Sequence, residues 1–162
     1  MSWYLLLDFF QIVFGVKFDR NNGDHKAMAQ CIVFLATAAG VDIDNRYAFA
    51  LYDSAGVYSH SLSEDMRVDS DIKNMLVWTF GDFAIGVFRR IRELIAEKNT
   101  YTQRDWCLCL AASLWIAENH FGSKCDKSIL DELEHRFPQL FIREENSRAL
   151  ILLREEVVYD IS

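Results

Sequence analysis

The sequence predicts a mainly α-helical fold with one small β element. Apolar residues recur at three- and four-residue spacing along most of the chain, as amphipathic helices require. Only residues 47–52 alternate as a strand would. Late in the chain two amphipathic segments are joined by Gly122-Ser-Lys-Cys125, a helix-turn-helix arrangement, and a β-hairpin wing is one reading of residues 139–158. These features predict one winged-helix-like domain over residues 1–162, with a long central buried helix and candidate sub-units 1–98 and 99–162. The 51% hydrophobic content and the single proline exclude a disordered chain or a proline-rich linker.

The first helix is expected from Trp3 to Phe14, closing at Gly15. Asn22-Gly23 is a turn signal, and Asp24 is the expected N-cap of a second helix over about 25–39. That helix carries Met28, Cys31, Ile32 and Leu35 on one face, and Gly40 closes it as a C′ residue. A short strand over 47–52 runs into the turn Asp53-Ser-Ala-Gly56. Ser61 or Ser63 is the expected cap of a short helix bearing Leu62, Met66 and Val68. A long helix is expected from Asp69 or Ser70 to about Lys98, apolar nearly all round in its first half and therefore buried centrally or covered by a partner. Gly81 and Gly86 inside it point to close approach or a bend.

The last third has clearer punctuation. Thr102-Gln-Arg-Asp105 has the form of a capping box and opens a helix with Trp106, Leu110, Leu114, Ala117 and Phe121 on one stripe, ending at Gly122. Asp126 is expected to cap the next helix, which buries Ile129, Leu130, Leu133 and Phe137 and stops at Pro138. Residues 139–158 allow two readings. Leu140-Phe-Ile142 and Ala149-Leu-Ile-Leu-Leu153 flank a polar stretch as a hairpin wing would. Alternatively a helix covers about 144–158, favoured by Glu, Arg, Ala and Leu and opposed by Asn146 and Ser147.

Charge narrows the function classes. The net charge is −7, whereas proteins that hold nucleic acid through phosphates usually present a basic face. The four cysteines form no C-x-x-C pair, and Cys107 and Cys109 fall on nearly opposite sides of a helix, so buried reduced thiols in a reducing cytoplasm are expected. The apolar N-terminus is interrupted by Asp8 and lacks a basic leader, and the run 75–88 is too short to span a bilayer, so no membrane partner is expected. No phosphate-binding, nucleophile-elbow or zinc-helix motif occurs. Asp131 and His135 lie one helical turn apart without a third ligand. The acidic pairs Glu64-Asp65, Glu144-Glu145 and Glu155-Glu156 sit in polar stretches. No catalytic residue, metal or cofactor is expected, and the chain is not read as an enzyme.

Two surfaces remain. Twelve Phe, six Tyr and four Trp exceed the needs of a core this size, and Trp3, Tyr4, Tyr52, Tyr58 and Trp78 are the candidates to anchor another protein. Arg89, Arg90, Arg92, Lys98 and Arg104 form the basic cluster that a DNA-binding regulator would use. The plainer reading of that cluster is the cationic end of a long helix, with Arg89 pairing with Glu93. Residues 126–136, the recognition helix of a helix-turn-helix, carry two bases against four acids, which disfavours a major groove between phosphate walls. Residues 41–72 hold seven acids and two arginines, suiting a basic partner.

His25-Lys-x-Met-x-Gln-x-Ile-Val-Phe-Leu, Tyr47-x-Phe-x-Leu-Tyr52 and Gly56-Val-Tyr-Ser59-x-x-Leu62-x-x-Asp65 succeed one another in the order seen in a known group. In this the chain resembles the YwgA-like group of small bacterial proteins. Residues 108–117 and 129–133 are similar to that group's C-terminal helices. Val57 stands where the group has proline, and Ala29 where it has leucine. The resemblance implies a winged-helix-like fold and a regulatory or complex-forming role without an active site. An accessory subunit or inhibitor in a bacterial or phage defence-type or regulatory system fits that role, and a helix-turn-helix transcriptional regulator is the alternative.

Overall fold

A computed structural model describes residues 3–53, 55–67, 81–97, 99–119, 125–156 and 159, with the backbone alone for 3–5. Among them are α1 (Trp3–Phe14), α2 (Gly23–Ala38), β1 (Ala50–Tyr52), β2 (Gly56–Tyr58), α3 (His60–Arg67), α4 (Asp82–Ala96), α5 (Gln103–Asn119), α6 (Asp126–Arg136) and α7 (Arg143–Glu155). A 3-10 turn at Pro138–Leu140 joins the last two. The two strands form one antiparallel ribbon. The chain is thus mainly helical with a small sheet.

Among the described residues, α2 and α5 are the most fully buried helices. Residues 28–36 of α2 are buried without interruption, as are 106–114 of α5. Small residues make this possible: Ala29, Cys31 and Ala36 on one helix, and Cys107, Cys109, Ala111, Ala112 and Ser113 on the other, fill the space around a helix on every side. The expected central helix over 69–98 is not continuous. Gly81 is extended (φ −67°, ψ 163°) and opens a new helix at Asp82. The described half is amphipathic, burying Val87, Phe88, Ile91, Leu94 and Ile95 while Arg89, Arg90, Arg92 and Glu93 face solvent. Residues 69–80, including the apolar run that begins at Met75, lie outside the described residues.

Local chemistry sets the element ends. Asn22, not Asp24, caps α2: its Oδ1 accepts from the N–H groups of Asp24 (2.9 Å) and His25 (3.2 Å). Asp24 instead sits in the first turn, where its charge meets the positive end of the helix dipole. At the other end Gly40 (φ +95°) donates to Thr37 O, and Val41 N–H to Ala36 O, both at 3.0 Å, which is a complete Schellman closure. Ser59, not Ser61 or Ser63, precedes α3 and accepts from Leu62 N at 3.4 Å. Val68 lies outside the described residues. Thr102 caps α5 as its sequence implies, accepting from Asp105 N at 3.2 Å; Phe121 and Gly122 lie outside the described residues. Cys125 rather than Asp126 occupies the N-cap of α6. Asp126 is freed to pair with Arg154 at 2.6 Å.

Among the described residues after Pro138 there is no hairpin wing. Residues 143–155 are helical, with Ala149, Leu150 and Leu153 in the core. Asn146, which opposes the helix by propensity, is only 3% exposed, and its Oδ1 lies 2.5 Å from the Tyr101 hydroxyl. That hydroxyl also accepts from Ile142 N at 2.7 Å, so one tyrosine from a distant loop secures the start of α7. Other ties join early and late chain: Phe9 stacks on Phe88 (4.0 Å between centroids), Trp106 Nε1 donates to Leu94 O (2.8 Å), and Tyr159 donates to Leu35 O (2.9 Å). Among the described residues, no helix is long and apolar enough to cross a membrane.

Candidate interaction surface

Of the five aromatic candidates, the structure brings two together. Register places Tyr52 opposite Gly56 and Ala50 opposite Tyr58. Tyr52 therefore lacks a side chain directly across the ribbon and meets Tyr58 diagonally on the same face. The two rings pack edge-to-face at 5.8 Å, with Tyr52 53% exposed. On the inner face Val57 is buried and Leu51 packs against the core. Period-two alternation thus turns the tyrosines outward because their neighbours turn in. Trp3 and Tyr4 belong to α1, but their side chains are not among those described; Trp78 lies outside the described residues.

The ribbon is held rigidly from below. The buried Gln30 amide donates from Nε2 to Ser59 O (3.0 Å), and its Oε1 accepts from Ser59 N (2.8 Å). A side chain here occupies the hydrogen-bonding place of a neighbouring strand. Gly56 has φ +89°, and a Cβ there would lie 2.7 Å from Leu108 Cδ2, so the ribbon meets α5 with no room for a larger residue. The approach to β1 is fixed too. Tyr47 donates to Asp65 Oδ2 at 2.6 Å, and Arg46 joins Asp65 (2.9 Å) to Asp44 (2.8 Å). Arg46 holds the Asp44 carboxyl below the usual carboxylate range, while burial and the bond to Asp65 raise the Tyr47 hydroxyl. Beyond the turn, Asp53 lies 3.8 Å from Arg136, whose guanidinium sits over Trp115.

The basic cluster does not form one stripe. Arg89 and Arg92 are exposed on α4 with no carboxylate at ion-pair distance among the described residues, so the expected Arg89–Glu93 pair is not formed. Arg90 lies 3.9 Å from Glu156. Arg104 is elsewhere, at the start of α5, between Asp24 and Asp105 at 3.3 Å from each. Its charge is compensated locally, which removes it from a phosphate-binding set. Lys98 lies outside the described residues. The acids of α6 are likewise engaged: Asp131 by Lys127 (3.0 Å) and Arg143 (3.4 Å), Glu134 by Arg143 (3.7 Å), and Glu132 by Arg136 (3.4 Å).

No protein-family model matches this chain, and no curated protein or solved structure is significantly similar to it. The site's own chemistry therefore carries the functional argument. Cys31, Cys107 and Cys109 are buried, and burial pushes the Cys31 and Cys109 thiols up to about 12 and the Cys107 thiol well above its ordinary value, the reverse of nucleophile activation. Cys125 departs from the expectation of burial and is exposed. Two open depressions, about 440 and 240 Å³, flank the Arg104–Asp105 pair. Of their ionisable groups, Asp24, Arg104 and Asp105 are already paired with one another, and His25 Nδ1 accepts from the Asp19 N–H at 2.9 Å.

Gln30, Tyr47, Ser59 and Asp65 do not announce themselves as functional in the sequence. A lone Gln among apolar helix positions is the available signal. Its partner, a backbone 29 residues away, leaves no trace in side-chain pattern.

Proposed function

We propose that this protein works by binding another protein through the Tyr52–Tyr58 face of its ribbon, without catalysis. The observation that supports this most is the combination of a half-exposed Tyr52 with a mount made of buried hydrogen bonds. A tyrosine presented on a rigid ribbon contributes large contact area at little conformational cost, the condition under which aromatic residues dominate interface energies. The role is that of an accessory subunit or inhibitor in a bacterial or phage defence-type or regulatory system, in the cytoplasm. The resemblance to a group of small bacterial proteins and the three buried thiols support that setting.

Affinity capture from the native host tests the reading. Wild-type protein should retain a stoichiometric partner that Tyr52→Ala loses, while the variant keeps its fold. Retention of the same partner by the variant would refute it. DNA binding is the second reading, favoured by Arg89 and Arg92, which are exposed and without an ion-pair partner among the described residues. It requires tight duplex binding with a steep negative salt slope that reversing these two charges abolishes.

A further inference from the structure

We infer that the free edge of β1 receives an extended, basic segment of the partner, which adds to the ribbon as a third strand; this rests on the protein-binding reading above. The sheet has two strands, and its two outer edges differ. On the β2 side Gly56 and Val57 are buried, and the backbone of Ser59 is already paired with Gln30. On the β1 side no further strand is paired among the described residues. Natural edge strands are blunted by short length, lysine, proline or an inward charge, and of these β1 (Ala50–Tyr52) has only its shortness. Tyr47-Ala-Phe-Ala-Leu-Tyr52 contains no proline and no charge over six residues. An uncharged, proline-free edge beside an exposed tyrosine is suited to strand addition, in which main-chain bonds give affinity and flanking side chains give selectivity.

Charge selects the occupant. Asp42 and Asp44 precede this uncharged stretch and Asp53 comes after it; Asp42 and Asp53 are exposed. In the described part of this region, residues 41–67, five acids stand against two arginines, a formal −3. Arg46 pairs with Asp44 and Asp65 and Arg67 with Glu64, which leaves the net negative charge to exposed Asp42 and to Asp53, whose nearest cation, Arg136, is at 3.8 Å. A second copy of this chain would bring the same acidic surface against itself, which like-charge repulsion opposes. A segment alternating Arg or Lys with β-branched residues meets the edge with its backbone, the carboxylates with its cations, and the Tyr52 ring with a guanidinium.

The test uses short synthetic peptides of alternating Arg and Val, their Glu-Val counterparts, and Arg-Val peptides N-methylated at alternate residues, titrated into the full chain and followed by backbone amide NMR. The Arg-Val peptide should shift amides of residues 48–52, bind roughly tenfold more weakly to Tyr52→Ala, and lose affinity in about 0.5 M salt. Because an extended strand offers alternate N–H groups to one neighbour, N-methylation in one phase should abolish binding and in the other leave it nearly intact. The inference is overturned by no binding at roughly 1 mM, by equal binding of the Glu-Val peptide, by indifference to both methylation phases, or by shifts centred on α4. It is equally overturned if sedimentation shows a dimer that Tyr52→Ala dissolves. Failure here with Tyr52-dependent capture intact rejects the strand-addition mode alone. Loss of the Tyr52 dependence in capture rejects the underlying reading as well.

Discussion

Replacing Gln30 by methionine removes the polar mount of the ribbon while keeping side-chain length. Two hydrogen bonds to Ser59, at 2.8 and 3.0 Å, are lost, and both are buried. Each contributes about 1 kcal/mol net, and each backbone group left without a partner costs about 1 kcal/mol or more in addition. The methionine recovers part of this through apolar burial, so the expected loss is ~3 kcal/mol. For a chain of this size that lowers the melting temperature by roughly 6–12 °C and the urea midpoint by about 1–2 M. Gln30→Glu separates the two bonds by pH. A protonated glutamic acid can still donate to Ser59 O and accept from Ser59 N, whereas the carboxylate faces a carbonyl oxygen in a buried site. Its folded pKa is therefore raised, and the stability it contributes is present below about pH 4 and lost as pH rises through that raised value. Urea titrations of the three proteins at acid and neutral pH decide the matter. A Gln30→Met variant within about 0.5 kcal/mol of wild type, or a Gln30→Glu variant insensitive to pH, would refute this account of how the ribbon is held.

The same packing sets further expectations. Gly56→Ala meets both a left-handed backbone and Leu108 at 2.7 Å, and should cost about 2–4 kcal/mol in thermal unfolding. Gly23→Ala, with ordinary φ and open space around it, should be neutral or stabilising by up to ~1 kcal/mol. Native protein should expose one thiol to a disulfide reagent, Cys125, with the remaining three reacting only on unfolding; mass spectrometry of the labelled peptide checks this. The Arg46 guanidinium keeps the Asp44 carboxyl low, so their pairing contributes stability above about pH 4 that is lost as pH falls through the lowered folded value. Asp44→Asn should accordingly destabilise at neutral pH and converge on wild type in strong acid, as read by urea midpoints.

Where helices lie is more readily legible in this sequence than which of them is central. Trp3 to Phe14 is legible because Gly15 ends a mostly apolar run, and Gly40 because a Schellman closure needs a residue with positive φ. Hydrophobic density marks large side chains, and 75–88 has many; residues 75–80 of that run lie outside the described residues. All-round burial of α2 and α5 comes instead from alanine, cysteine and serine, whose small size registers weakly in any hydrophobic pattern. The choice between wing and helix at 139–158 turns on Asn146, whose unfavourable local preference is overridden by Tyr101, 45 positions away. At the surface, alternation over 47–52 correctly turns Tyr52 outward. β2 is hidden because Gly56 serves as turn and strand at once, and Gln30 because its partner is main chain. The basic cluster looks continuous along the sequence; the fold separates Arg104 from α4 and gives it to Asp24 and Asp105.

A hydrogen-exchange comparison of the free protein with its captured complex bears most directly on the claim that the ribbon is the working surface. Strong new protection of amides in residues 48–58, with α4 unchanged, is the predicted result. Protection confined to the arginine-bearing face of α4, with the ribbon exchanging as it does in the free protein, would contradict it.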